Sequence, residues 1–223
     1  MTSRAGRERA KQRDEVLSHL AVSRETAAAL DRYVALLDTW HSTQNLVAAS
    51  TLPAVWSRHI LDSAQLLPLL SDAERITDFG SGAGFPGLVL AILRTGRAVA
   101  PVDLVESNGR KAAFLREAVR VTAAPALVHA MRAERYTETP PGHVGAVTAR
   151  ALAPLRELLR LAEPLLKTGA RGVFLKGREA QQELTDAARS WRIDAELRPS
   201  LTDSAARIVL VRSAVRTAAD RWT

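Results

Sequence analysis

The sequence predicts an α/β protein: a Rossmann-like, doubly wound sheet of seven strands, its last strand antiparallel, preceded by an N-terminal helical segment. Three observations carry this. From Ile76 onward, short apolar runs alternate with segments of helical period, which implies parallel strands joined by right-handed crossovers. The stretch Ile76–Gly87, ITDFGSGAGFPG, reads as strand, glycine loop and helix start. Only RPSLTDSA separates the last two strands, and a parallel crossover needs about a dozen residues, so these two are antiparallel neighbours.

Residues 1–20 form a basic extension, carrying Arg4, Arg7, Arg9, Lys11 and Arg13. It reads either as a disordered arm that touches phosphate or as a solvated extension. The remainder, 21–223, is one domain: a helical prelude over 21–72 and an α/β core over 73–223. Ser23 caps a helix running to about Trp40, with Ala27, Leu30, Val34, Leu37 and Trp40 as its apolar positions. After the polar break HSTQN, a second helical stretch runs from near Pro53 to about Leu70, with Trp56, Ile60, Ala64 and Leu67 on one face. His59 and Asp62 lie three apart there and share a face, as a surface pair or as a functional one. Strands follow at 76–79, 102–105, 126–129, 145–149, 172–175, 193–197 and 207–211. Helices fall near 87–93, 110–121, 155–166 and 179–191.

Composition narrows the function. With 223 residues, 47% hydrophobic and 25% charged, the chain has globular proportions and room for one sizeable core. No cysteine is present, which excludes disulfides, cysteine-ligated metal and a cysteine nucleophile; no metal site is expected. No run of 18 apolar residues occurs and the N-terminus lacks a signal-peptide core, so the expectation is a cytoplasmic protein without membrane contact. A net charge of +7 favours a polyanionic partner such as nucleic acid. Arg supplies 27 of the 31 basic residues, so biased genome composition is the competing explanation.

In open α/β sheets the ligand lies beyond the carboxyl ends of the strands. There the sequence places the glycine loop after the first strand and Glu106 after the second, suited to two ribose hydroxyls. Arg132-Ala133-Glu134 follows the third strand as a tight turn beside a purine, Arg150 ends the fourth, and Lys176 ends the fifth. Gly82, Gly84 and Gly87 match the dinucleotide pattern GxGxxG, which alone is weak evidence for NAD. Asp78, the extra Gly80, the helical prelude and the antiparallel last strand instead favour S-adenosylmethionine (SAM) and a methyltransferase sheet.

The segments WSRHILDSAQLLPLL, ITDFGSGAGFPGLVLAI, LVESNGRKAAFLREAVR, TARALAPL and FLKG together resemble the RsmG (GidB) family of bacterial small-subunit ribosomal RNA guanine-N7 methyltransferases. The resemblance covers essentially everything after Leu20. It implies that Gly80, Gly82 and Phe85 line the SAM site, that Glu106 holds the ribose, that Ala133 and Glu134 flank the adenine, and that Arg150 lies at the cofactor rim. His59 and Asp62 fall on its HILDS motif, as positioning residues. Lys176 is either an RNA contact or a solvated strand-end lysine. The implied partner is 16S ribosomal RNA or the small ribosomal subunit, and a monomer is expected. Guanine N7 already holds a free in-plane lone pair, so in-line transfer needs no general base. An NAD-dependent oxidoreductase and a non-catalytic RNA-binding module on the same scaffold are the competing readings.

Overall fold

The computed structural model describes residues 4–217, so the expectations for residues 1–3 and 218–223 lie outside it. The sheet has seven strands in the order β3-β2-β1-β4-β5-β7-β6. They are β1 Ile76–Phe79, β2 Val102–Val105, β3 Ala126–His129, β4 Ala146–Arg150, β5 Arg171–Lys176, β6 Trp191–Pro199 and β7 Arg207–Arg216. Strands β1 to β5 pair in parallel, and β7 runs antiparallel to both β5 and β6. The strand order reverses between β1 and β4, and the glycine loop leaves β1 at that switch point.

Alternation along each strand divides the core between two faces. Ile76, Val102 and Leu104 join one cluster with α2 (Arg24–His41), α4 (Gly87–Leu93) and α5 (Gly109–Thr122). Phe79, Val105 and Val147 join the other with α6 (Ala133–Glu138), α7 (Leu155–Lys167) and α8 (Ala180–Ala187).

Several elements differ from expectation. Over its described part the basic extension is helical and mostly exposed: Arg4–Leu20 forms α1, with Val16 buried. Arg9 pairs with Asp38 at 2.9 Å and Arg13 with Asp31 at 2.6 Å, so two of its cations are neutralised against α2. The second prelude helix is broken into a tight turn (Ala49–Ala54), a wide π-turn (Trp56–Leu61), one α-helical turn, α3 (Asp62–Ala64), and a further tight turn (Leu67–Leu70). Pro68 lacks the donor a continuous helix needs, and the Ser63 hydroxyl donates back to the His59 carbonyl at 2.7 Å. The expected turn at Arg132–Glu134 is the start of α6. The last predicted helix ends at Ala187, and the buried Trp191 begins β6 instead.

One contact ties the prelude to the site. Tyr33 is fully buried on α2 and its hydroxyl donates to the Ala83 carbonyl inside the glycine loop. Gly84 takes φ +99°, and a Cβ there would lie 2.9 Å from Leu88 Cβ and 3.0 Å from the Tyr33 hydroxyl. Tyr33→Phe is expected to lower stability by about 1 kcal/mol. Gly84→Ala should cost more, about 1–3 kcal/mol, because strain adds to the clash. Urea denaturation ranking Tyr33→Phe as the more damaging change would contradict this account of the loop.

Candidate active site

The loop between β1 and α4 is held from beneath by Asp78, which is fully buried. One carboxylate oxygen accepts from the Thr148 hydroxyl on β4 at 2.7 Å, and the other from the Gly87 N–H at the start of α4 at 3.2 Å. Burial pushes its pKa up to about 6, against hydrogen bonds from Thr148, Ser81 and Gly87 that favour the anion. A Cβ on Gly87 would fall 2.6 Å from Asp78 Cβ and 2.5 Å from Leu104 Cδ2, so only glycine fits there. Above the loop, Gly82 (φ +56°) is open: the nearest atom to a Cβ there is the Gly80 carbonyl oxygen at 3.6 Å.

Glu106 is buried where β2 ends. Its carboxylate accepts from the Gly82 N–H at 2.9 Å and the Asn108 N–H at 2.7 Å, one bond to each oxygen. A carboxylate has about four acceptor positions, so two remain for hydroxyl donors.

A cavity of about 720 Å³ opens over the loop. It is lined by Gly80, Gly82 and Phe85 from the loop, His59 and Asp62 from the prelude, and Arg150 and Lys176 from strand ends. Sequence reasoning named all seven. The structure does not bring Glu106, Ala133 or Glu134 to this wall: Glu106 bonds the Gly82 and Asn108 N–H groups beside it, Ala133 packs into the second core cluster, and Glu134 points out to an ion pair with Arg160 at 3.1 Å.

Phe85, His59 and Arg150 form one cluster. The His59 ring stacks on Phe85 at 4.8 Å, and the Arg150 guanidinium carbon lies 4.8 Å from the same ring centroid. Arg150 approaches His59 Nδ1 at 2.8 Å; arginine has no acceptor, so Nδ1 must accept and Nε2 must carry the proton. Nε2 therefore donates to the Thr51 hydroxyl at 2.9 Å, and Thr51 donates to the Ala48 carbonyl at 2.8 Å. Burial, with the cations Arg150 and Arg58 close by, pushes the imidazole pKa down to about 3. His59 is thus neutral, with both nitrogens engaged.

Asp62 and Lys176 are also occupied. Asp62 accepts from Thr202 at 2.7 Å and Gln65 at 2.8 Å, with Arg150 at 3.5 Å, which joins the prelude to the β6–β7 connection. Lys176 is neither solvated nor free for RNA: only 7% of its side chain is exposed, and its ammonium donates to the Ala153 carbonyl at 2.7 Å and Glu183 at 2.6 Å. Tyr33, Thr51 and Glu183 were missed in the sequence. Tyr33 left a signal in its 30, 33, 34, 37 spacing on α2, where a phenol buried among aliphatics needs a partner. Thr51 and Glu183 left none.

The family model for rRNA small subunit methyltransferase G matches residues 26–208. The chain belongs to that family. Family members in Methylobacterium nodulans and Methylorubrum populi, each named ribosomal RNA small subunit methyltransferase G, are 56% and 52% identical, and each alignment covers 92% of this chain and 96% of that protein. Solved structures agree on the fold: the O-methyltransferase TomG from Streptomyces achromogenes, in complex with SAM, aligns with a TM-score of 0.55 at 14% identity over 83% of this chain and 89% of that one. Seven strands with a reversed β7 are the sheet expected from the sequence. No helix among the described residues is long and apolar enough to cross a membrane.

His59 gives a signed test. Its folded pKa lies below the ordinary 6.5, so its stabilising contribution is complete above pH 6.5 and is lost as pH falls toward 3. Urea titrations of wild type and His59→Gln should show the wild-type advantage shrinking across that window. An advantage that grows on acidification would mean the imidazole is protonated in the fold.

Proposed function

We propose that this protein transfers the methyl group of SAM to N7 of a guanine in 16S ribosomal RNA, in the cytoplasm, as a monomer. The observation that carries the choice of cofactor is Asp78. A dinucleotide site needs the unpaired N–H groups and positive dipole end of the first helix for a pyrophosphate. Here the Gly87 N–H is bonded to a buried carboxylate, which repels a second anion. An NAD-dependent oxidoreductase therefore loses its phosphate site, while a cationic cofactor without pyrophosphate suits the same loop. A non-catalytic RNA-binding module would have no need of an open Gly82 beside a buried Glu106.

SAM supplies an electrophilic methyl on a sulfonium. Glu106 offers its remaining acceptor positions to the ribose, and Gly80 and Gly82 admit the cofactor against the main chain. Arg150, fixed by His59 and compensated by Asp62, borders the cavity at the end of β4. The prelude wall over 21–72 faces the acceptor, the core over 73–223 carries the cofactor, and the 1–20 extension braces the prelude through α1. Transfer would move the positive charge from the sulfonium to the purine, with no proton for the protein to take up. Lys111 on α5 and Arg178 in the β5–α8 turn line the same cavity, with Arg58 beside Asp203 at 3.4 Å, and suit the flanking RNA phosphates. Ala133 and Glu134, at the start of α6, remain the proposed neighbours of the adenine.

Two outcomes are expected. Glu106→Ala removes charge-assisted hydrogen bonds of about 1.5–3 kcal/mol, which weakens SAM binding by about ten- to a hundred-fold. Unchanged affinity by calorimetry, in a mutant with native circular dichroism, would remove Glu106 from the ribose. Second, N7 has no proton to lose, so positioning supplies the rate. Single-turnover rates with saturating SAM and RNA should be nearly flat across roughly pH 6 to 9. His59→Gln and Asp62→Asn should lower the rate without altering that profile. A tenfold rise per pH unit at the acidic end, abolished in either variant, would identify a general base and an acceptor other than N7.

A further inference from the structure

The β4–α7 connection, residues 151–154, enters at the cavity edge through Ala151 and holds a strained backbone there. Ala151 lines the cavity with φ +51°, a conformation that a residue with a Cβ keeps only where its surroundings enforce it. The next side chain, Leu152, lies over Gly80: a Cβ at residue 80 would meet Leu152 Cδ1 at 2.5 Å. Two charged groups from other elements enforce this. Lys176, at the end of β5, donates to the Ala153 carbonyl at 2.7 Å and to Glu183 at 2.6 Å. Glu183, on α8, accepts from the Leu155 N–H at 2.6 Å. That N–H opens α7 with no side-chain cap of its own, because its N-cap is Pro154. The connection is thus gripped at the Ala153 carbonyl and at the first amide of the helix that follows.

We propose that Lys176 and Glu183 form a positioning pair for the cofactor: they fix residues 151–154 so that Leu152 closes against Gly80 and sets the edge of the site that receives SAM. This rests on the SAM reading above. It assigns the lysine to the cofactor side of the site, not to RNA. The pair has the properties the role needs. Both groups line the cavity, yet neither projects into solvent, with side-chain exposures of 7% and 22%. A phosphate would have to displace Glu183 from the ammonium at 2.6 Å before it could bind there. Removing one partner alone would strand the other charge in a buried setting, so a loss of fold in Lys176→Met would say nothing about position. Replacing both removes the charges together, and a glutamine at 183 still offers an oxygen to the Leu155 N–H.

The test compares wild type, Lys176→Met/Glu183→Gln, Lys176→Arg and Leu152→Ala, by SAM calorimetry and by binding to a 16S RNA fragment across a salt series. The double variant and Leu152→Ala should weaken SAM binding by about ten-fold or more, since misplacing a support by an ångström costs up to a hundred-fold. The slope of log RNA affinity against log salt should stay at the wild-type value, and Lys176→Arg, which keeps a donor for Ala153, should restore most of the SAM affinity. Should the double variant fail to fold, Leu152→Ala carries the same comparison from the other side of the contact. Unchanged SAM affinity in the folded variants overturns the proposal. So does a salt slope reduced by about one charge, which would make Lys176 a phosphate contact. A wild type that binds no SAM overturns the underlying reading as well, whereas a binding wild type with indifferent variants overturns the positioning pair alone.

Discussion

A single carboxylate, Asp78, sealed from solvent beneath the glycine loop, is the constraint on which the site depends. It joins three elements at the point where the sheet reverses direction: β1, which carries it, β4 through Thr148, and α4 through Gly87. Leaving such a group without partners would cost several kcal/mol, so its hydrogen bonds are required, not incidental. The loop above is therefore set by what lies under it. The same carboxylate decides which ligand the loop accepts, because the helix start that would bind phosphate in a dinucleotide fold is already bonded to an anion.

The opposite wall follows a related logic, with neutrality in place of charge. His59 lies between two cations and stacks on Phe85, and its pKa falls until it is uncharged at any physiological pH. It works as a spacer with one acceptor and one donor, holding Arg150 on one side and Thr51 on the other. An acceptor that arrives with its lone pair exposed asks nothing more of a histidine. The π-turn over Trp56–Leu61 is what aims it, and such turns occur where a side chain has to be redirected out of helical register. Asp62, one residue beyond that turn, completes the wall by bonding Thr202 across the chain.

Much of this was legible in the sequence, and what escaped had a common cause. Strands β1, β2 and β3 fall on the residues their apolar runs indicate, because each is short, buried and bounded by loop residues. The antiparallel pairing of β6 with β7 follows from the length of RPSLTDSA. Glu106 was singled out from its position alone, as the acid that follows β2 beside the glycine loop. Lys176 was placed rightly at the cavity and misread in state. Its partner Glu183 is brought back by the direction of α8, which periodicity does not specify. Ala133 and Glu134 lie off the cavity wall for a similar reason: the chain turns into α6 at once and swings Glu134 toward Arg160. Composition did not show what the extension packs on, for Arg9 and Arg13 meet acids spaced along α2 that pair with them only once both helices are folded.

The central claim is chemical: one loop, one buried glutamate and a neutral histidine wall deliver a methyl group to guanine N7 in small-subunit RNA. The most direct measurement maps N7-methylguanine in 16S ribosomal RNA from cells with and without the gene, after incubation of the deficient RNA or subunits with purified protein and isotopically labelled SAM. The account predicts one N7-methylguanine missing from the deficient RNA and restored, labelled, by the wild-type protein. Label on an exocyclic amine, a ring carbon or a ribose hydroxyl, or no site that depends on the protein, would contradict it.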